Sequence, residues 1–378
     1  MITKIQVLFF TPFVSLEIYL VSIEIVLHFL PLIHVPNPYM RSNAVVFTAP
    51  NTVQWLEIES PSPGDDDIVI DLHHSWISNG TEGSFLRGER LSGDQAWHAG
   101  DPMPFPMVAG YQKVGRILSL GANVTGFEPG EMVFASMSKV TGMFDNRFAG
   151  HVSPSVCDKN AVMKIPPGTD PLAVSGLVLT QVGYNCGMRS NIRPGECAVV
   201  IGDGLVGQWA AQTLYQRGAK VLIVGKHPDR LEKAKPYAHV TCSPDDFGLS
   251  AFENLGLPKV QVLVETVGSV PAMYSWLPKM NRNSHIVVAG FYKPSGAIDI
   301  QTALQDFRNY EISFDLVSGA TGPRMEETMN WISQAKLNTL DLITHRFKAE
   351  EAANAWKLIE SKSEPVLGVI LDWPASRS

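Results

Sequence analysis

Cysteine is scarce in this chain: its 378 residues hold only Cys157, Cys186, Cys197 and Cys242. They form no Cys-x-x-Cys pair and no secreted-scaffold spacing, so they read as reduced, mostly buried thiols of a cytoplasmic protein. Positive charge is scarce too, with 30 Lys and Arg against 37 Asp and Glu and a formal charge of −7. That balance leaves no basic stripe for nucleic acid, and Asp65-Asp66-Asp67 and Glu326-Glu327 are too short to be more than loop and helix surface. The N-terminus lacks a small-residue cleavage site and has Lys4 as its only early cation, which argues against a signal peptide. What it does have is an apolar run from Ile5 to Pro36, broken among strongly polar residues by Glu17, Glu24 and His28 and ended by Pro36-Asn37-Pro38. The run is long enough to span a bilayer, but its glutamates would be costly there. The expectation is that Met40, which opens a regular strand, is the natural start and that residues 1–39 are a translated upstream region. A membrane anchor is the competing reading, and membrane contact is expected only if those residues are real.

The stretch richest in meaning is Cys197-Ala-Val-Val-Ile201 followed by Gly202-Asp-Gly204-Leu-Val-Gly207. A buried strand feeds a Gly-x-Gly-x-x-Gly turn that opens a helix. Gly202 permits the tight turn, Gly204 lets backbone approach a pyrophosphate, and Gly207 lets helix and strand pack closely. Leu205 and Val206 then place their N–H groups at the positive end of the helix. A helix over Leu205 to Gln216, a stop at Gly218 and a strand over Lys220 to Val224 complete a βαβ unit. Strand-like runs at Ala238 to Thr241, Val260 to Val264, His285 to Ala289 and Glu311 to Val317, with a helical pattern at Pro271 to Met280, predict a six-stranded doubly wound parallel sheet.

The end of the second strand indicates which dinucleotide is held, because an acid there bonds the ribose 2′-OH and rejects a 2′-phosphate. This chain has Gly225 at that point, then Lys226, His227 and Arg230, with Asp229 as the only nearby acid in sequence. The pattern favours NADP and leaves NAD open.

Residues 40 to about 180 read as short strands between Gly and Pro turns, at Ala44 to Thr48, Val53 to Ile58, Asp67 to Ser75, Gly115 to Gly121 and Met132 to Ser136. With Ile77-Ser-Asn-Gly-Thr-Glu82, Pro106-x-x-x-Gly110-Tyr111-x-x-x-Gly115, Gly126-Phe-x-Pro-Gly130-Glu-x-Val133 and Lys164-Ile-Pro-Pro167 beside the glycine fingerprint, the chain from Met40 onward resembles the medium-chain dehydrogenase/reductase superfamily. The resemblance implies an α/β protein with a GroES-like β domain at 40–180, a Rossmann domain at 181–320, and a segment at 321–378 that returns to the first domain. It leaves a homo-oligomer open.

Many members of that superfamily use zinc as a Lewis acid, and the resemblance places its ligands at Ser78 or Asn79, at Tyr111 and near Val178. None of these can serve, and no cysteine cluster for a structural zinc lies between Ser92 and Lys139, so no metal is expected. His73, His74, His98 and His151 read as loop or packing residues, and so does His345. Ala289-Gly-Phe-Tyr292, Leu342-Ile-Thr-His-Arg346 and Ile370-Leu-Asp-Trp373 are similar to a zinc-free branch, the bacteriochlorophyllide a dehydrogenases, with Gln112 as a departure. Thr81 then matches the hydroxyl that starts the family's proton relay, Tyr111 is placed to hydrogen-bond a substrate oxygen, and Ser78 is a third candidate. Gly290 and Phe291 fall where the family covers the nicotinamide, and Phe291 or Tyr292 is a candidate for the pocket wall. The expected function is zinc-independent, NAD(P)-linked hydride transfer between nicotinamide and a small alcohol or carbonyl compound. The alternatives are an enone or quinone reductase and a non-catalytic dinucleotide-binding protein.

Overall fold

The computed structural model describes residues 39–145, 149–245, 256–292 and 299–374. The expectations for the apolar N-terminal run lie outside them. Among the described residues no helix is long and apolar enough to cross a membrane.

Tyr39–Ala49 and Thr52–Pro61 form an antiparallel pair around a tight turn in which Asn51 takes φ 57°, a left-handed geometry that asparagine tolerates. Asp67–Ile77 is the middle of a larger sheet, paired on one side with Lys113–Leu120 and on the other with Gly368–Asp372. Beyond Gly368–Asp372 lies Ile343–Lys348, so the C-terminal part of the chain returns to complete the sheet built by the N-terminal part. Alternation buries Ile68, Ile70 and Leu72 on one face of the central strand, against a core that includes Phe47 and Trp356, whose rings meet edge to face at 5.3 Å.

The second sheet contains the fingerprint. Its strands Val240–Cys242, Lys220–Val224, Cys197–Ile201, Val260–Glu265, Met280–Val288 and Ser313–Leu316 lie in that spatial order, all parallel. In chain order this is 3-2-1-4-5-6, the doubly wound arrangement. Cys197 to Ile201 are all buried, as strands covered on both faces must be. The helix Leu205–Gln216 has the expected bounds. Pro271 to Met280 is not one helix: a short helix Val270–Tyr274 gives way to a 3-10 turn at Leu277–Lys279, because Pro278 has no N–H to continue the ladder. Cys157, Cys186 and Cys197 are buried and Cys242 is partly so; burial pushes the Cys186 and Cys197 thiols up to about 12.

The two sheets meet through an apolar cluster around Trp76 and Trp209, whose rings lie 5.8 Å apart. Trp76 comes from the central strand of the first sheet and Trp209 from the fingerprint helix, so this cluster fixes the cleft above it.

Candidate functional site

The cleft between the two sheets encloses about 460 Å³, a size suited to a small-molecule site. One wall is the fingerprint. Gly204 caps the helix without a side-chain bond, leaving the N–H groups of Leu205, Val206 and Gly207 available to an anion. Any side chain at 207 would collide with the backbone, since a Cβ would lie 2.0 Å from the Gly202 carbonyl oxygen. Gly202 itself has φ 116°.

At the end of the second strand the structure corrects the sequence reading that made Asp229 the nearby acid. Asp203, inside the fingerprint and 4 % exposed, is the acid at this turn. Its carboxylate accepts the His227 backbone N–H at 2.8 Å, lies 3.0 Å from His227 Nδ1 and accepts Arg230 Nη1 at 3.4 Å. It fills the space above Gly225, where a Cβ would meet Asp203 Oδ2 at 2.4 Å. Lys226 is exposed and Asp229 lies on the outer surface in the first turn of Pro228–Ala234. His227 and Arg230 line the cleft.

The opposite wall is the helix Asn79–Leu86. Ser78 is its N-cap residue; its hydroxyl makes no capping bond, and Glu82 Oε1 accepts the Ser78 N–H at 2.8 Å. The Ser78 and Thr81 hydroxyls both lie close enough to the Tyr111 phenol to favour its ionised form. The three catalytic candidates therefore lie close together, with Ser78 and Thr81 lining the cleft. Burial pushes the Tyr111 phenol far above its ordinary range, and the Glu82 charge pushes it the same way against the two hydroxyls. The phenol stays protonated and can donate.

Beneath it lies a pair that sequence reasoning missed. His151, fully buried, sits 3.0 Å by Nε2 from Glu82 Oε2 and 2.8 Å by Nδ1 from Ser75 Oγ, which also accepts Trp373 Nε1–H at 2.8 Å. Its ring occupies the space a side chain would need at Gly110, 2.6 Å from an ideal Cβ, while Gly110 takes φ 82°. Gln112 is structural: its Nε2–H₂ donates to the Trp76 carbonyl at 3.3 Å and its Oε1 accepts the Leu179 N–H at 3.0 Å. His74 pairs with Asp372, and His345 packs on Phe347.

The third wall follows the strand Met280–Val288. Phe291 lines the cleft. Gly290 packs so tightly on the next loop that a Cβ would lie 2.2 Å from the Gly268 nitrogen. Tyr292 instead donates to Glu265, whose buried carboxylate also accepts the N–H groups of Val267, Gly268 and Ser269. Glu265 thus shapes the loop flanking the cleft.

These residues fit a dinucleotide. Uncapped N–H groups face the cleft, and Asn79 Oδ1 and Arg230 Nε are buried without a partner among the described residues, both on residues that line it. They do not fit a zinc ion. Glu82 and His151 are taken up with each other, and no group of three His, Cys, Asp or Glu among the described residues could hold a metal.

No family model matches the chain. Along its length it is 26 % identical to a 2-desacetyl-2-hydroxyethyl bacteriochlorophyllide A dehydrogenase of Cereibacter sphaeroides, covering 89 % of this chain and all of the relative. The fold matches an Escherichia coli CFT073 alcohol dehydrogenase complexed with NADH, with a TM-score of 0.75 at 20 % identity over 88 % of this chain and 99 % of that one. It also matches a Sinorhizobium meliloti structure described as a zinc-binding dehydrogenase bound to NADP, with a TM-score of 0.73 at 17 % identity and the same coverage. With a β domain completed by the C-terminal strands and a 3-2-1-4-5-6 parallel sheet, the chain has the fold of these alcohol dehydrogenase-like proteins and is similar along its length to a curated dehydrogenase.

Proposed function

We propose that this protein is a zinc-independent, nicotinamide-dependent oxidoreductase acting on an alcohol/carbonyl pair. The observation that carries the reading is the meeting of Tyr111, Ser78 and Thr81 at one end of a cleft whose other end has the features of a dinucleotide site. The nicotinamide, when bound, supplies hydride transfer. The protein's own work is to hold the reacting oxygen and to manage one proton. Tyr111, kept neutral by burial, donates a hydrogen bond to that oxygen, supplying the polarisation a metal supplies elsewhere. Thr81, close to the phenol and open to the cleft, carries the proton between the substrate oxygen and water, with Ser78 beside the phenol as a second hydroxyl.

The favoured cofactor is NADP. Gly225 supplies no acid of its own, Lys226 is free to meet a phosphate, and His227 and Arg230 line the cleft beside it. NAD is favoured by one observation, the Asp203 carboxylate at this turn. Fluorescence titration of the purified chain with NADPH and NADH separates the two; tighter NADH binding overturns the NADP preference. Cofactor-linked turnover on alcohols, aldehydes, enones and quinones, with product analysis and elemental analysis for zinc, tests the rest. Reduction of C=C bonds alone replaces the reading with an enone reductase, absence of turnover makes the chain a dinucleotide-binding protein, and one zinc per chain whose removal abolishes activity refutes zinc independence.

A further inference from the structure

Arg90 has no place in the chemistry above, yet it is 4 % exposed and lines the same cleft. The strand Arg90–Ser92 holds it at the edge of the catalytic wall. Its side chain crosses the cleft so that the guanidinium carbon lies 3.9 Å from the centre of the Phe291 ring, a cation–π contact that fixes its plane. Nε donates to Ser84 Oγ at 2.6 Å, and Nη1 donates to the Gly93 carbonyl at 3.0 Å and to Asp94 Oδ1 at 2.9 Å. A guanidinium has five N–H donors; among the described residues no acceptor meets Nη2. The neighbouring Arg87 differs, because Glu89 and Glu360 occupy it. Asp94 is largely exposed, with 65 % of its side chain in solvent, so water weakens its compensation of the buried charge. The guanidinium lies on Phe291 and beside Ser84, and Ser84, Arg90 and Phe291 all line the same cleft as Ser78 and Thr81.

We infer that Arg90 is the anchor for an anionic group of the substrate, and that the substrate is an alcohol or carbonyl compound bearing a carboxylate. This rests on the oxidoreductase reading for the word substrate, but not for the anion site. A neutral ligand closing the cleft would strip water from Nη2 and leave it unpaired, which costs affinity, whereas a carboxylate would complete the guanidinium's hydrogen bonds. Phe291 and Ser84 hold the fork in place beforehand, so little rotamer entropy is lost on binding.

The test separates anion binding from turnover. The full chain, saturated with NADPH, is titrated with malonate and with the isosteric neutral malonamide, read by nicotinamide fluorescence and by calorimetry. The same titrations are run on Arg90→Met and on Arg90→Lys, each checked for an unchanged melting temperature. Malonate is expected to bind at least about tenfold more tightly than malonamide, a difference lost in Arg90→Met and partly kept in Arg90→Lys, with NADPH affinity unchanged in all three. Equal binding of the two probes by the unaltered protein, or a preference that survives Arg90→Met, overturns the inference. Should Arg90→Met fail to fold, the wild-type comparison and Arg90→Lys still decide. Failure of the oxidoreductase reading shows differently, as malonate binding without turnover on any member of the alcohol and carbonyl panel.

Discussion

Replacing Gly225 by Asp is the substitution that sequence alone recommends for turning an NADP site into an NAD site. In this fold it meets Asp203. A Cβ on residue 225 would lie 2.4 Å from Asp203 Oδ2 and 2.5 Å from Asp203 Cβ, and Asp203 cannot swing clear without releasing His227 and Arg230. The second carboxylate adds repulsion of about 4 kcal/mol for unit charges 4 Å apart at an effective dielectric of 20. Gly225→Asp is therefore expected to lower stability by an amount of that order and, by displacing Asp203 and with it His227 and Arg230, to weaken NADPH and NADH alike. The double variant Asp203→Gly/Gly225→Asp removes the clash and leaves a single acid at the strand end. It is expected to recover NADH binding and not NADPH binding. Fluorescence titration of the wild type and both variants, beside their melting temperatures, reads the outcome. A single Gly225→Asp protein that binds NADH at least as well as the wild type, with no loss of stability, would refute the claim that Asp203 fills this turn.

Three further outcomes are expected. Thr81→Val and Tyr111→Phe each lower turnover by about 10²–10⁴-fold, the usual effect of losing a positioned acid–base group, while cofactor affinity holds; near-wild-type steady-state rates in both would return the proton to water. His151→Leu leaves Glu82 Oε2 buried without its donor and is expected to cost roughly 3 kcal/mol in chemical denaturation; a loss below about 1 kcal/mol would show that the pair is dispensable. Lys113 is fully buried, donating to Ser138 and to the Ala149 carbonyl, and burial pulls its ammonium below the ordinary lysine range. Between that lowered value and 10.5 the unfolded chain holds a proton that the folded chain does not, so this residue makes stability rise with pH, by at most about 1.4 kcal/mol per unit. Denaturation across the alkaline range should show that slope in the wild type and not in Lys113→Met; an identical slope in both would assign it elsewhere.

The parallel sheet was legible because its strands are continuous apolar runs and its turn obeys glycine sterics, both local properties. The bounds of Cys197–Ile201 and Leu205–Gln216 follow from those alone. Pro271 to Met280 misled because its apolar spacing is helical while Pro278 denies the backbone. In the site, Ser78, Thr81 and Tyr111 could be picked out by resemblance, but the nearness of Tyr111 to the other two is tertiary. His151 was invisible for a related reason: its partner Glu82 is 69 positions away, and nothing about a lone histidine says what lies beside it. Asp203 is the instructive case. It stands within the fingerprint, in plain sight, but its reach over Gly225 depends on how two parallel strands are set side by side.

The strand Gly368–Asp372 lies between Asp67–Ile77 and Ile343–Lys348 in the finished sheet, which has a consequence for synthesis on the ribosome. All strands of the parallel sheet have been made once Leu316 emerges, so that half can close early. The first sheet closes only in part: Ser155–Asp158 covers the start of Asp67–Ile77 on one side, but the partner of its His74–Ile77 end is made nearly last. At about 5–20 residues per second, some 290 residues of further synthesis leave that edge waiting roughly 15 to 60 s. Throughout that interval the unpaired end of the strand is a template for whatever other strand it meets. A premature stop just before Gly368 would therefore act as a folding lesion in the N-terminal half of the protein.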